Sequence, residues 1–552
     1  GVAGAELVMA MAHALHRAGR VYQATLIDSA RILASTTDRS ASVIRQSMDD
    51  LGVTVLDEAN IAGIGSTGIT LEDGCRIEAE FVTGAAGARA YDWPAKSGLA
   101  LQDGYIAVDA ELRSSDPDVF AAGDCAHFSP SPRPKAGVFA VREAPVLYNN
   151  LRAALGAGKQ RRYVPQKDYL KLISLGSKSA LGERFGRAVS GSQMWRWKNR
   201  IDRNFMARFT NLPEMHSPVV PRSHAAGLRE AIGDKPICGG CGAKLGRKTL
   251  QAGLSVKSDT PGDDAAILQT GGVAQVLTTD HLRPLTLDPV LMTRIAANHA
   301  LGDIWAMGAD PQAATATIIL PRLAPSLQER TLAEIMTTAR ATFEEAGGKI
   351  VGGHSSVGDE LTIGFTVTGL CARDPITLAG GKPGDALILT KPLGSGVLMA
   401  AAMTGKAKGS DIVDAYAYMT QSQKTASKIL SIANAMTDVT GFGLAGHLDG
   451  LCRLSNCGAT LDLSAIPVMS GAAELVRAGV RSTLFAENRD LVPDLTEGGI
   501  NDLLYDPQTA GGLLAAVPAT LAKDLCADLQ QAGYEAAVIG ALTEHLGLRV
   551  QS

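Results

Sequence analysis

The chain has 552 residues and a net charge of -4, from 52 Lys and Arg against 56 Asp and Glu, so no global field recruits nucleic acid. With 46% hydrophobic and 20% charged residues, the composition excludes a disordered chain, and at roughly 150 residues per domain the length predicts three or four domains rather than one globule. Eight cysteines are too sparse for a disulfide scaffold, and neither an apolar run of about 18 residues nor a cleavable leader is present, so the expected location is the cytoplasm.

GVAGAELVMAMAHALHRAG predicts a glycine turn opening a helix, with Leu7, Met11, Ala14 and Leu15 as its apolar stripe, followed by a strand at YQATLID. Gly1, Gly4 and Glu6 match the end of a Gly-x-Gly-x-x-Gly turn, where absent side chains let the backbone approach a pyrophosphate at a helix N-terminus. Asp28 stands where an acid would bind a ribose hydroxyl, although a plain helix-opening turn accounts for the same glycines. Further on, DVFAAGD sets Gly123 and Asp124 just after a strand. These residues resemble the pyridine-nucleotide flavin oxidoreductases, the type II NADH dehydrogenase group in particular, over roughly residues 1–210. The resemblance implies a Rossmann-like module at residues 1–155 that binds FAD and NAD(P)H, with Asp124 against the ribityl chain. The family begins with a complete flavin-binding βαβ unit, and the strand that should precede Gly1 is missing. The expectation is therefore that this truncated module does not hold a flavin in the usual way.

Residues 156–235 form a basic connector. From Lys159 to Arg208 thirteen Lys or Arg face only Asp168, Glu183 and Asp202. Met194, Trp197, Ile201, Phe205 and Phe209 recur at helical spacing and predict an amphipathic helix with a cationic face. One reading packs that stripe on the preceding module; the resemblance implies the other, peripheral contact of the tail with a membrane surface. NLPEMHSPVVPRSHAAG reads as a linker.

The stretch ICGGCGAKLGRKTLQAGLSVKSDTPGDDAAIL, ending at Leu268, sets a thiol, an ammonium and three acids close together. Cys241 lies among Gly239, Gly240 and Gly242, and Lys244 follows with a charge suited to phosphate. After Asp259 and the Pro261–Gly262 turn, Asp263 and Asp264 lead into a strand, a plausible arrangement for magnesium ligands. Four more segments carry chemistry: VLTTDHLRP with Asp280 at a strand end; NHALGDIWAMG with Asp303 on a helix; GGKIVGGHSSVGDE with Gly353, His354 and Ser355 on a glycine loop; and AMTDVTGFGLAGHL with Asp438 before a turn. Any one Asp beside Gly is as readily a turn former. Cys238 and Cys241 could be half a zinc site, but no second pair lies at ligand spacing. No Gly-x-x-x-x-Gly-Lys-Ser/Thr occurs, so ATP would need another cradle.

GDDAAIL, TTD, NHALGDIWAMG, GGHS, TDVTGFGLAGHL and DPQTAGGL, in this order behind a Gly-Cys-Gly-x-Lys loop, resemble selenophosphate synthetase (selenide, water dikinase), of the aminoimidazole ribonucleotide synthetase-like fold. The fold class implied is multidomain α/β and α+β, with an ATP-binding half at 236–382 and a second half at 383–552, pairing as homodimers. By that resemblance Cys241 and Lys244 are catalytic. Asp264, Asp303 and Asp438 bind Mg2+. Lys244, Pro261, Gly262, Asp263, Asp280, Asp303, Gly353, His354 and Ser355 contact ATP. His299 and His447 are read as structural, and Cys238 as dispensable. A rival reading is a membrane-associated NADH:acceptor oxidoreductase with a regulatory ATP module. A third, a module acting on a ribonucleotide amidine or thiamine phosphate, leaves the thiol without a use.

Overall fold

In the computed structural model all residues are described except 35, 212–218, 220, 227, 229–237, 255–261, 494, 496–497 and 552. The chain divides into two compact units, residues 1–212 and 213–552.

In the first unit the helix Val2–Arg17 buries Ala5, Met9 and Ala12, a 3–4 residue spacing that makes one apolar face. Strands Ala24–Ile27 and Val53–Leu56 pair in parallel, joined through the helix Asp38–Asp50, whose first turn is capped by Thr37 accepting from the Ser40 amide. Ile44 and Met48 from that helix join Met9 in a core shared with Ile173 and Leu181. Those last two belong to an antiparallel sheet of Lys171–Ser174, Ala180–Arg184 and Arg187–Gly191, so part of the basic segment is built into this unit. The helix Ser192–Thr210 follows and has no fully buried residue. A second small core gathers Ile106, Val108, Phe128 and Tyr163 around the sheet Leu101–Gln102, Tyr105–Val108 and Ala126–Phe128.

The second unit contains two sheets. The first runs in the order Ala266–Thr270, Val273–Leu282, Thr362–Leu370, Asp310–Pro321, Lys349–Gly358, antiparallel except for its last pair. The helix Pro289–Ala306 starts at Asp288, whose carboxylate accepts from the Val290 and Leu291 amides at 2.8 and 3.1 Å, with Pro289 at the first helical position. This helix is buried almost all round because it lies between the sheet and the second half: Asn298 Nδ2 donates to the Thr420 carbonyl at 3.2 Å, and Ser427 Oγ to that of Trp305 at 2.7 Å. Phe343 of the helix Pro325–Ala346 packs on Phe365 with ring centroids 5.0 Å apart, a contact whose truncation to Ala costs about 3–5 kcal/mol. The other sheet runs Ala435–Asp438, Leu513–Val517, Ala386–Leu389, Ala537–Thr543, Gly458–Asp462, Gly547–Gln551. Among the described residues no helix is long and apolar enough to cross a membrane.

Candidate active site

Three acids from separate elements meet in the second unit. Asp264 precedes the edge strand Ala266–Thr270, Asp303 lies in the last turn of Pro289–Ala306, and Asp438 ends the strand Ala435–Asp438. One carboxylate oxygen from each lies within 4.8 Å of the others. Thr437 Oγ1 donates to Asp264 Oδ1 at 2.8 Å and Thr278 Oγ1 donates to Asp303, but Asp264 Oδ2 is buried with no partner among the described residues. Gly302 makes the approach sterically feasible, since a Cβ there would stand 2.5 Å from Asp438 Oδ2. Burial first, and then mutual repulsion, pushes all three carboxyls up, Asp438 to about 7. One buried and two half-buried acids that repel one another, with one oxygen unpartnered among the described residues, form a cage whose charge a divalent cation would balance.

Against this cage lies a second cluster. Gly240, at φ +58°, turns the chain, and Gly239 leaves no room for a Cβ, which would stand 2.3 Å from the Pro284 carbonyl. The short turn Gly240–Ala243 thereby carries Cys241 into full burial, its amide donating to Thr509 Oγ1 at 3.1 Å. Lys244 Nζ donates to Asp280 Oδ2 at 2.9 Å, over Gly441, where a Cβ would come within 3.0 Å of Lys244 Cδ. His299 Nε2 is 2.9 Å from the same Asp280 oxygen and 3.3 Å from Cys241 Sγ. Burial alone would raise the Asp280 carboxyl, but His299 and Lys244 outweigh it and hold the group well below the usual range. Burial likewise works against the Lys244 charge, yet Cys241 and Asp280 push its pKa up. His299 and Lys244 both also favour the charged form of Asp438, so the two clusters form one electrostatic unit.

Residues 262–371 and 382–552 match the N-terminal and C-terminal domains of AIR synthase related proteins, and residues 1–144 match pyridine nucleotide-disulphide oxidoreductases. A selenide, water dikinase from Myxococcus xanthus is 37% identical over 325 residues, 55% of this chain and 92% of that protein. One from Aeromonas hydrophila is 36% identical over 334 residues, 56% of this chain and 94% of that protein. The chain belongs to the selenide, water dikinase family. The oxidoreductase domain precedes that region in the same polypeptide. Among solved structures, thiamine monophosphate kinase from Aquifex aeolicus aligns with 55% of this chain and 95% of its own at 17% identity and a TM-score of 0.43.

Within the dikinase region the other expected ATP contacts are dispersed. Asp263 Oδ1 accepts from the Leu378 amide at 2.9 Å, which ties the loop holding exposed Gly262 to the segment that leads into the second half; Pro261 lies outside the described residues. Gly353, His354 and Ser355 are not on a loop, as their glycines suggested, but on the exposed edge strand Lys349–Gly358. Gly353 is required there by close backbone approach, because a Cβ would stand 2.3 Å from the Ala316 carbonyl oxygen of the parallel neighbour. Sequence reasoning missed His299, Thr278, Thr437 and Thr509. His447 accepts from the Thr440 amide at 3.1 Å, and burial lowers its pKa to about 3, so it is a neutral structural group.

In the first unit Gly1 stands at the start of the first helix beside Asp28, and Gly4 lets that helix pack closely, a Cβ there meeting Leu26 Cδ1 at 3.3 Å. Glu6 is engaged elsewhere, accepting from the Ser174 amide at 2.9 Å and pairing with Lys198 at 3.3 Å, so its carboxylate ties the unit together instead of facing a nucleotide. Gly123 donates its amide to Glu143 at 2.6 Å, and exposed Asp124 borders a recess with Phe128, Lys135 and Phe139. Among the described residues no hydrogen bond or ion pair joins the Gly1–Asp28 group to the Gly123–Asp124 group.

Proposed function

We propose that residues 236–552 catalyse ATP-dependent synthesis of selenophosphate from selenide and water, releasing AMP and phosphate. The observation that carries this reading is the convergence of Asp264, Asp303 and Asp438 beside the Lys244, Asp280 and Cys241 cluster. Asp264, Asp303 and Asp438 suit Mg2+, since they are hard oxygen donors and one of their oxygens is buried without a partner among the described residues. Bound there, the ion would neutralise triphosphate charge and orient the phosphates for in-line attack. Lys244 adds a second positive charge on the phosphate side, with Asp280 fixing its ammonium. The remaining ATP contacts in this reading are Pro261, Gly262, Asp263, Gly353, His354 and Ser355. Cys241 positions the selenide, and the turn around it keeps water from the transferring phosphoryl group. Incubating the full chain with ATP, Mg2+ and selenide should release AMP well above a Cys241→Ala, Lys244→Ala double variant. Equal release from the two would reject the reading.

We further propose that the oxidoreductase domain uses NAD(P)H and FAD to supply reduced selenium to the dikinase. The close packing at Gly4 and the recess at Gly123 and Asp124 support nucleotide binding, whereas Glu6 is committed elsewhere. A second reading, membrane-associated NADH oxidation, is favoured by the helix Ser192–Thr210, which exposes Trp197, Phe205 and Phe209 among its arginines. Flavin absorbance with NADH-dependent selenophosphate yield from an oxidised selenium source supports the first. NADH oxidation that requires anionic vesicles and leaves that yield unchanged supports the second.

A further inference from the structure

We propose that His299 is a positioning residue that holds Cys241 as a thiolate, through a single Nε2–H shared between the Asp280 carboxylate and the cysteine sulfur. The inference rests on the reading that Cys241 handles the selenium atom. Asp280 Oδ2 accepts from Lys244 Nζ at 2.9 Å, a group that can only donate, so this oxygen is an acceptor. His299 Nε2 lies 2.9 Å from the same oxygen, where two lone pairs would repel, so Nε2 carries the hydrogen. The same nitrogen is 3.3 Å from Cys241 Sγ. A nitrogen already bearing hydrogen cannot accept from S–H, and the contact is favourable when the sulfur accepts, which a thiolate does far better than a thiol.

The surroundings favour the same state. Cys241 is fully buried, and among the described residues its sulfur has no other hydrogen-bond partner. His299 is 1% exposed, and its Nδ1 has no partner among the described residues, so the Nε2 contacts alone orient the ring. Lys244, from the loop after Cys241, and Asp280, from a sheet strand, act on His299 directly; Asp303, on the helix of His299, acts on Lys244, and Asp438, on a strand of the second half, faces both cations. Lys244 and the imidazolium of His299 are the cations that offset the thiolate. The thiol proton leaves to solvent, and although burial works against the His299 charge, Cys241 and Asp280 push its pKa well up, so the ring faces the thiolate as an imidazolium. His299 does not touch the substrate in this scheme; it sets the charge and direction of the atom that does.

The test uses the full chain with His299→Ala, which removes the donor, and His299→Gln, which keeps an amide N–H at similar reach. The rate of Cys241 alkylation by iodoacetamide is followed against pH and located by peptide mass spectrometry, with exposed Cys75 and Cys125 as internal references. Loop opening changes the height of this profile, whereas thiolate stabilisation moves its midpoint. The expected midpoint is lower in the parent chain than in His299→Ala, with His299→Gln between the two. Selenide-dependent AMP release should fall at least tenfold in His299→Ala with the KM for ATP within about threefold, and recover in part in His299→Gln. An unmoved midpoint in His299→Ala, or equal loss in both variants, overturns the proposal. If Cys241→Ala retains selenide-dependent AMP release, the functional reading fails, while the midpoint still decides whether His299 ionises Cys241.

Discussion

Replacing Asp438 by Asn tests whether the three-acid cage is built for a cation. Asp438 is 3% exposed, and burial with repulsion from Asp264 moves its pKa from 3.8 to about 7. Between these values the folded, metal-free protein holds a proton that the unfolded chain has released, so stability is lost as pH rises from about 4 to 7. At about 1.4 kcal/mol per pKa unit the full penalty above pH 7 is about 4 kcal/mol. Part of it is shared with Asp264 and Asp303, so removing one charge should restore about 2–4 kcal/mol. At about 2 °C per kcal/mol for a unit of this size, Asp438→Asn should melt roughly 4–8 °C above the parent chain at pH 8 in EDTA, and close to it at pH 4. Mg2+ at 100 times its Kd should stabilise the parent by about 2.7 kcal/mol and the variant by much less. Differential scanning fluorimetry of the full chain and the variant measures all three conditions. A variant that melts lower than the parent in EDTA at pH 8, or gains as much from Mg2+, would refute the reasoning.

Gly302→Ala should disturb the same cage from the other side, because its Cβ would stand 2.5 Å from Asp438 Oδ2. We expect a loss of about 1–3 kcal/mol and a raised Mg2+ requirement for AMP release, and an unchanged Mg2+ titration would count against the assignment. In the first unit, burial acts to raise the Glu183 carboxyl, but hydrogen bonds from Lys171, Ser40 and Thr37 hold it at about 2 against an ordinary 4.5. Its contribution, about 3 kcal/mol, is present above pH 4.5 and disappears as pH falls toward 2, so Glu183→Gln should flatten the acid-unfolding curve of that unit over this window. Trp197→Ala, Phe205→Ala and Phe209→Ala together should abolish co-sedimentation with anionic vesicles if the membrane reading holds; no binding by the parent chain removes that reading.

The acids of the cage were legible because each stands at a turn, strand end or helix end within a motif that, in its order along the chain, resembles the dikinase family. His299 was not. Its helix is apolar on every side because it lies between the sheet and the second half, so no polar stripe marks the functional face. The remaining signal was spacing, since His299 and Asp303 are four residues apart and share one side of that helix. The segment Gly353–Ser355 misled for a different reason. Glycine pairs usually punctuate turns, whereas here Gly353 permits two strand backbones to approach, a contact visible only once the Ala316 strand is in place. Glu6 looked like part of a nucleotide turn because nothing local disclosed Ser174 and Lys198 far along the chain. The threonines that fix Asp303, Asp264 and the Cys241 turn had no signal of their own, because they act through single hydrogen bonds formed after folding.

The central claim is that an acid cage, Lys244 and a buried Cys241 together move a phosphoryl group onto selenium. Phosphorus NMR of the full chain turning over ATP with 77Se-labelled selenide and Mg2+ tests it most directly. The account predicts a new phosphorus resonance split by coupling to selenium, growing in step with AMP and absent from the Cys241→Ala and Asp438→Asn variants. Hydrolysis of ATP to ADP and phosphate alone, with no resonance coupled to selenium, would contradict it.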